Sequence, residues 1–429
     1  MARAGRTGAI AALERLTGGA NMESWAFAQD GEAFVLRRAP SADVMAGRPL
    51  DHAGEAALIR AARAAGVPAP EVVAELAEDD GIGSGFVMRR IAGTASPAPL
   101  LEQGGEAMLD DIAQALAAIH RVEPATLGDL PGLDPGAGVE GLAAQFAGHG
   151  ANRPIVALGL AWLRANLPAP VDPALVHGDF RIGNLMAENG RLTGVLDWEI
   201  AHLGDHHEDL AYGCMAVWRF GSAKPGFGLG SLEQWFAAYE DAGGRAVDPA
   251  RFRFWLVYRT VWWALGCLGM GQTWRSHADR SLERVVVARR AAEQELDLLL
   301  LLEDEAPEAE RARPLPASPD APPAPRGEPD TGELLVAVSE WLGTIKERFS
   351  GRDRFDLAVA RNALGIATRE LATRPQAHDR PLADELLAGR AGLATPGLLA
   401  RLRRIALDKL AADVPKYPGL ADARAKWEG

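Results

Sequence analysis

Apolar and polar positions alternate over the first part of the chain and later settle into a helical rhythm. Over residues 13–38 the pattern suits a small antiparallel sheet: a strand ending at Leu16, a glycine-containing loop over 17–21, then Trp25 and Phe27 alternating with smaller or polar neighbours. Gln29-Asp30-Gly31-Glu32 is a hairpin turn, because Asp-Gly supplies the positive φ angles of a primed turn, and 33–37 is the returning strand. The spacing predicts a helix over 52–65, ended by Gly66 and followed by Val67-Pro68. A second helix is expected over 110–120, where Met108, Leu109, Ile112, Leu116 and Ile119 recur at helical spacing and are read as core. The short apolar run 192–196 is strand-like, and 231–302 is helical and rich in aromatic residues. Residues 303–329 are acidic and then rich in Pro and Ala, the composition of an extended, solvated linker, and 330–429 return to a helical pattern.

Composition leaves that picture intact. At 429 residues the chain exceeds one typical domain, and 48% hydrophobic against 24% charged residues place it among ordinary globular proteins. The longest apolar stretch, 254–270, is interrupted by Arg259 and is expected to be a buried helix rather than a membrane span. Met1 to Ile10 carry two arginines without an apolar region after them, so a soluble, cytoplasmic protein is expected. The formal charge of −13 argues against general nucleic-acid affinity. It is unevenly spread, with about +2 over 330–429 and about −15 over the rest, as separate domains would show. Cys214 and Cys267 lie in apolar surroundings without zinc-ligand spacing and are read as buried thiols.

The chemistry concentrates in Val176 to Leu185 and Gly194 to Glu199. Asp179 and Asn184 stand five residues apart on what should be a short loop, and Asp197 follows the apolar run just after. Moving a γ-phosphate needs a carboxylate to accept a hydroxyl proton and oxygen ligands to hold Mg²⁺ against the triphosphate. Asp179 is the candidate base, with Asn184 and Asp197 the candidate metal ligands. The adjacent His206 and His207 lack a third ligand at matching spacing, so a solvated turn is expected there. Gly226-Phe-Gly228-Leu-Gly230 is not a dinucleotide fingerprint, because its last spacing is too short.

The protein-kinase catalytic loop has His-Arg-Asp, four residues, Asn, and a later Asp-Phe-Gly. Here Gly178 replaces the Arg and Trp198-Glu199 replace Phe-Gly, so the chain resembles the aminoglycoside and choline phosphotransferase superfamily. The resemblance implies an α+β, protein-kinase-like two-lobe fold, with a nucleotide-binding lobe at 1–90 and a mainly helical catalytic and acceptor-binding lobe at 91–302. After the linker at 303–329, residues 330–429 resemble a small all-α domain of unknown function that accompanies bacterial phosphotransferases, through Val359-Ala-Arg-Asn-Ala-Leu-Gly and Leu410-Ala-Ala-Asp-Val-Pro-Lys-Tyr417. Docking, oligomerisation or partner binding is its default reading.

The same resemblance implies roles for residues outside the motif. Gly18, Gly19 and Asn21 would cover the phosphates, and Arg37, oriented by Glu55, would steady them. Arg38 is the alternative clamp if the strand register slips by one. Met88 to Arg90 would form the hinge that meets the adenine edge. His177 and Asp209 are structural, the latter in a Gly-Asp, spacer, Asp-Leu-Ala pattern, and His120 is structural as well. Arg181 occupies the place where protein kinases often carry a Lys, so it either neutralises the transferring phosphoryl group or pairs with a nearby carboxylate. Trp218, Tyr258 and Trp262 are candidates for an acceptor pocket. ATP and Mg²⁺ are the implied cofactors, and a small-molecule hydroxyl is the implied acceptor. Leu36-Arg37-Arg38-Ala39-Pro40 with His177-Gly-Asp-Phe-Arg181 look most like a branch associated with acyl-CoA dehydrogenases, which implies hydroxy acids or hydroxyacyl thioesters. Aminoglycosides, choline, and a pseudokinase acting through its helical domain are the competing readings.

Overall fold

The computed structural model describes residues 1, 4–16, 22–41, 45, 48–318, 329–373 and 378–429. Gly18, Gly19 and Asn21 lie outside the described residues. The chain divides into two compact units, one of residues 1–134 with 169–256 and one of residues 135–168 with 257–429.

The first unit begins with a five-stranded antiparallel sheet in the order β1-β2-β3-β5-β4. Its strands are β1 (Ala11–Arg15), β2 (Glu23–Gln29), β3 (Glu32–Ala39), β4 (Val72–Glu75) and β5 (Ser84–Arg89). The expected hairpin is present: Gln29 pairs with Glu32, and Asp30 and Gly31 take φ of 53° and 79°, both positive as a primed turn demands. Helix α1 (His52–Ala64) starts where Asp51 caps the Gly54 N–H and ends before Gly66.

Register decides which basic residue serves the site. Arg37 pairs with Ser24 on one side and Phe86 on the other, so it shares a sheet face with Val35 and Met88. Arg38 belongs to the opposite face, where Glu23 (2.7 Å) and the Ile82 carbonyl (2.7 Å) hold it. That opposite face, with Trp25, Phe27, Leu36 and Val87, floors an apolar groove of about 590 Å³. The groove is therefore turned away from Arg37 and is no part of the chemistry.

Helices α2 (Pro97–Gln103) and α3 (Gly105–His120) follow. The predicted apolar stripe of α3 is fully buried, each large side chain contributing roughly 1.5–3 kcal/mol of burial. Helices α4 (Pro135–Gln145) and α5 (Pro154–Ala165) belong to the second unit. The chain then returns to the first unit with two small antiparallel pairs. These are β6 (Ala174–Val176) with β9 (His202–Gly204), and β7 (Leu185–Glu188) with β8 (Arg191–Val195). Helices α6 (His207–Tyr212) and α7 (Leu232–Asp241) complete it, and α8 (Pro249–Arg275) takes up the apolar stretch at 254–270. Arg259 is buried within α8 with its guanidinium 4.2 Å from the Trp262 ring, so the charge that interrupts the apolar run is covered by an aromatic face. No helix among the described residues is long and apolar enough to cross a membrane. Both cysteines are free and buried, and burial pushes the Cys214 thiol up to about 12.

The second unit is otherwise all helical, with α9 (Leu282–Arg289), α10 (Ala291–Leu302), α11 (Glu308–Arg311), α12 (Thr331–Thr344), α13 (Gly351–Thr373), α14 (Arg380–Leu387), α15 (Leu398–Asp413) and α16 (Pro418–Glu428). The expectation of solvated chain from residue 303 onward fails for its first residues. Glu303 is fully buried and accepts from both Arg403 (2.6 and 2.9 Å) and Trp427 (2.9 Å), and Glu310 is buried too. An acidic run looks solvated in sequence, but arginine, lysine and tryptophan donors from α15 and α16 meet this one inside the unit.

Candidate active site

The loop between β6 and β7 carries the motif. Asp209, fully buried, accepts the backbone N–H of His177 (2.7 Å) and of Gly178 (2.9 Å), and its Oδ2 lies 3.3 Å from His120 Nε2. Burial alone would raise its pKa, but the His120 hydrogen bond, the nearby imidazoles and the His177 N–H hold it below its ordinary value. His120 is in turn fixed by Tyr239 Oη at 2.7 Å. A buried carboxylate thus holds two successive N–H groups of the loop backbone.

His177 is a spacer made of imidazole. Its Nε2 donates to the Leu196 carbonyl (3.1 Å) and its Nδ1 accepts the Asp179 N–H (3.2 Å), a partner set that only the neutral ring can satisfy. Burial lowers its pKa accordingly. The ring also packs on Trp198, with centroids 4.6 Å apart, so one side chain ties the Asp179 loop to the segment that carries Asp197. Gly178 explains why arginine is absent from this position. Its φ is +80°, and a Cβ there would meet the Ile200 carbonyl oxygen at 2.7 Å.

Asp179 is held at both oxygens. Arg181 Nε donates to Oδ1 (2.8 Å) and Asn184 Nδ2 to Oδ2 (2.6 Å), while the same amide nitrogen lies 3.0 Å from the Asp179 carbonyl. The pairing of Arg181 with a nearby carboxylate is therefore present, and that carboxylate is the candidate base. The Arg181 guanidinium lies 4.1 Å from the Trp218 ring, which brings one of the three acceptor-pocket candidates beside it. Although burial opposes its charge, Asp179 keeps the Arg181 pKa above its ordinary value.

Asp197 stands in the left-handed region, with φ +66°, where an aspartate is strained and is retained by its surroundings. Its Oδ1 accepts from Arg37 Nη2 at 2.9 Å. The same Nη2 reaches Glu199 Oε2 at 2.6 Å, and Arg37 Nε lies 3.2 Å from Glu55 Oε1. Burial, followed by the Asp197 and Glu199 charges, pushes Glu55 up to about 7 even though Arg37 opposes the shift. The three carboxylates together hold Arg37 well above its ordinary value. Glu199 also accepts from Arg48 Nη1 at 2.7 Å. The Asn184 Oδ1 and the Asp197 carboxylate are hard oxygen donors of the kind Mg²⁺ takes, so the residues present fit that ion.

Two residues escaped the sequence reading. Glu199 lies two residues past Asp197, and that short separation could have suggested it. No local signal points to Arg48. Of the hinge candidates, Met88 faces Val35 and Val72 in the sheet, and the Arg90 N–H is spent on the Ala33 carbonyl at 2.9 Å. Tyr258 and Trp262 belong to the second unit, where Tyr258 is buried.

The solvated turn expected at His206 and His207 is a buried network. His207 Nδ1 donates to Asp205 (2.7 Å) and its Nε2 accepts the Asp248 N–H (2.9 Å), while Arg251 occupies the other Asp205 oxygen (2.7 Å). Hydrogen bonds use up both nitrogens of His207 and both oxygens of Asp205, so the cluster is a core brace rather than a metal site. Polar residues between Gly204 and α6 resembled a turn, but the following helix folds them inward.

Arg37 of the antiparallel sheet meets Asp197, and the loop between β6 and β7 pairs Asp179 with Asn184, the arrangement of a kinase-like phosphoryl-transfer fold. Residues 12–255 match the model of the phosphotransferase enzyme family, and the chain belongs to that family. The chain is 34% identical over 200 residues to acyl-CoA dehydrogenase family member 10 of Mus musculus, covering 43% of this chain and 18% of that protein. It is 32% identical over 198 residues to acyl-CoA dehydrogenase family member 11 of Gallus gallus, covering 42% and 25%. The match thus spans a quarter or less of those relatives' length. Among solved structures, one assigned as an aminoglycoside phosphotransferase from Ralstonia eutropha superposes with a TM-score of 0.56 at 21% identity, covering 70% of this chain and 94% of that one, which shows the shared fold.

Proposed function

We propose that the protein is an ATP- and Mg²⁺-dependent small-molecule kinase that phosphorylates the hydroxyl of a hydroxy acid or hydroxyacyl thioester. The observation that carries the reaction is the pairing of Asp179 with Arg181 and Asn184 on a loop anchored by Asp209. Asp179 receives the acceptor hydroxyl and takes its proton. Asn184 and Asp197 would hold Mg²⁺, which would supply positive charge to offset that of the phosphates. Arg37, carried by β3 and oriented by Glu55, steadies the phosphates, and Arg181 fixes the base and faces the transferred group. The acceptor class is supported by the Phe180-Arg181 pair and by the relatives named as acyl-CoA dehydrogenase family members. The division into a nucleotide lobe at 1–90, a catalytic lobe at 91–302, a linker at 303–329 and a helical domain of unknown function at 330–429 is part of the same proposal.

The test is ATP consumption with Mg²⁺ against a panel of hydroxy acids, hydroxyacyl-CoAs, choline and aminoglycosides. ADP formation that depends on a hydroxy acid or hydroxyacyl-CoA supports the assignment. Dependence on choline or an aminoglycoside instead would replace the acceptor, and no ATP turnover under any condition would leave a scaffold.

A further inference from the structure

Arg37 and Arg48 converge on a single oxygen. Glu199 Oε2 accepts from Arg37 Nη2 at 2.6 Å and from Arg48 Nη1 at 2.7 Å, and the two side chains are only 13% and 16% exposed. Like charges repel strongly in a partly buried site, so two guanidiniums gather there only around compensating anions. Asp197 and Glu199 are those anions, with the Glu55 carboxyl beside Arg37 as the third acidic group of the cluster.

Arg37 is tied into the sheet and to Glu55 on α1. Arg48 lies four residues ahead of His52, the first residue of α1, on the connection that leads from β3 into that helix. The positive end of the α1 dipole also favours an anion there. His52 adds a third feature. It is 4% exposed, its Nδ1 meets Ser84 Oγ at 2.9 Å, and its Nε2 has no hydrogen-bond partner among the described residues. Burial, then the Arg37 and Arg48 charges, press its pKa down to about 4, so the ring stays neutral beside them.

We propose that Arg48 is a second polyphosphate ligand, paired with Glu199 in the nucleotide-free state and transferred to the β- and γ-phosphates when nucleotide binds. The inference rests on reading this site as an ATP site. A nucleotide polyphosphate presents several oxygens to the two guanidiniums that meet at Glu199 Oε2, and a guanidinium fork suits phosphate oxygens.

Nucleotide titrations of the full chain with Mg²⁺, followed by the thermal midpoint, read weak and tight affinities alike. Arg48→Ala should weaken AMP-PNP and ADP about tenfold, about 1.4 kcal/mol, while AMP changes less than about twofold. Arg48→Lys should recover most of the loss. Equal loss for AMP and AMP-PNP, or no loss for either, overturns the role, the first by marking Arg48 as a purely structural pair. A wild-type chain that binds no nucleotide overturns the ATP site itself, and that failure is visible before any variant is made.

Discussion

Asp209 lies 32 residues beyond His177 yet accepts its backbone N–H at 2.7 Å, and through that bond and the one from Gly178 a buried carboxylate fixes the backbone just ahead of Asp179. Removing the Asp209 carboxylate leaves two buried N–H groups unpaired, each costing roughly 1–3 kcal/mol. Asp209→Ala should therefore lower unfolding free energy by about 2–5 kcal/mol, measured by denaturant titration, and a loss under about 0.5 kcal/mol would contradict the anchoring role.

Asp179→Asn keeps the shape of the side chain and removes its basicity. Turnover should fall roughly 10²- to 10⁴-fold with nucleotide affinity nearly unchanged. Unaltered ATP-dependent turnover would remove Asp179 from the chemistry.

The two neighbouring arginines of β3 should behave oppositely. Arg37→Met breaks the contacts to Glu55, Asp197 and Glu199 and should weaken ATP binding by about tenfold or more, since a buried charge-assisted network loses its cation. Arg38→Met, on the far face, should change ATP affinity less than about twofold. A reversed order would mean that the register of β3 is one residue out.

Gly183 has φ +107°, and a Cβ there would lie 2.6 Å from Arg181 Nη1. Gly183→Ala should displace Arg181 from Asp179 and cost about 1–3 kcal/mol of stability along with most of the activity. A variant with wild-type stability and turnover would show that the loop does not need this slot.

His206 is a source of acid sensitivity. Burial, then the His207 and His120 charges, lower its pKa to about 3, so it stays neutral in the folded protein while the unfolded chain protonates near 6.5. The unfolded state then binds the extra proton, and stability falls as pH drops below 6.5. Between pH 6.5 and 5 this group accounts for about 2 kcal/mol. Denaturant midpoints at pH 7 and 5 should converge in His206→Gln relative to wild type, and equal pH slopes in the two proteins would count against it.

The reaction class was legible because its residues are local. Asp179, Asn184 and Asp197 sit within 19 positions, and their spacing alone singles out two carboxylates and an amide flanked by short strands. The hairpin at Asp30-Gly31 and the stripe of α3 were equally readable, since backbone φ preference and helical period act over a few residues. The tertiary structure decided the rest. Arg37 meets Asp197 and Glu199 across 160 and 162 positions, Arg48 meets Glu199 across 151, and no periodicity encodes such pairings. Burial of His206, His207 and Glu303 depended likewise on donors and acceptors supplied by distant segments, because a polar side chain is hidden only where the fold brings it a partner.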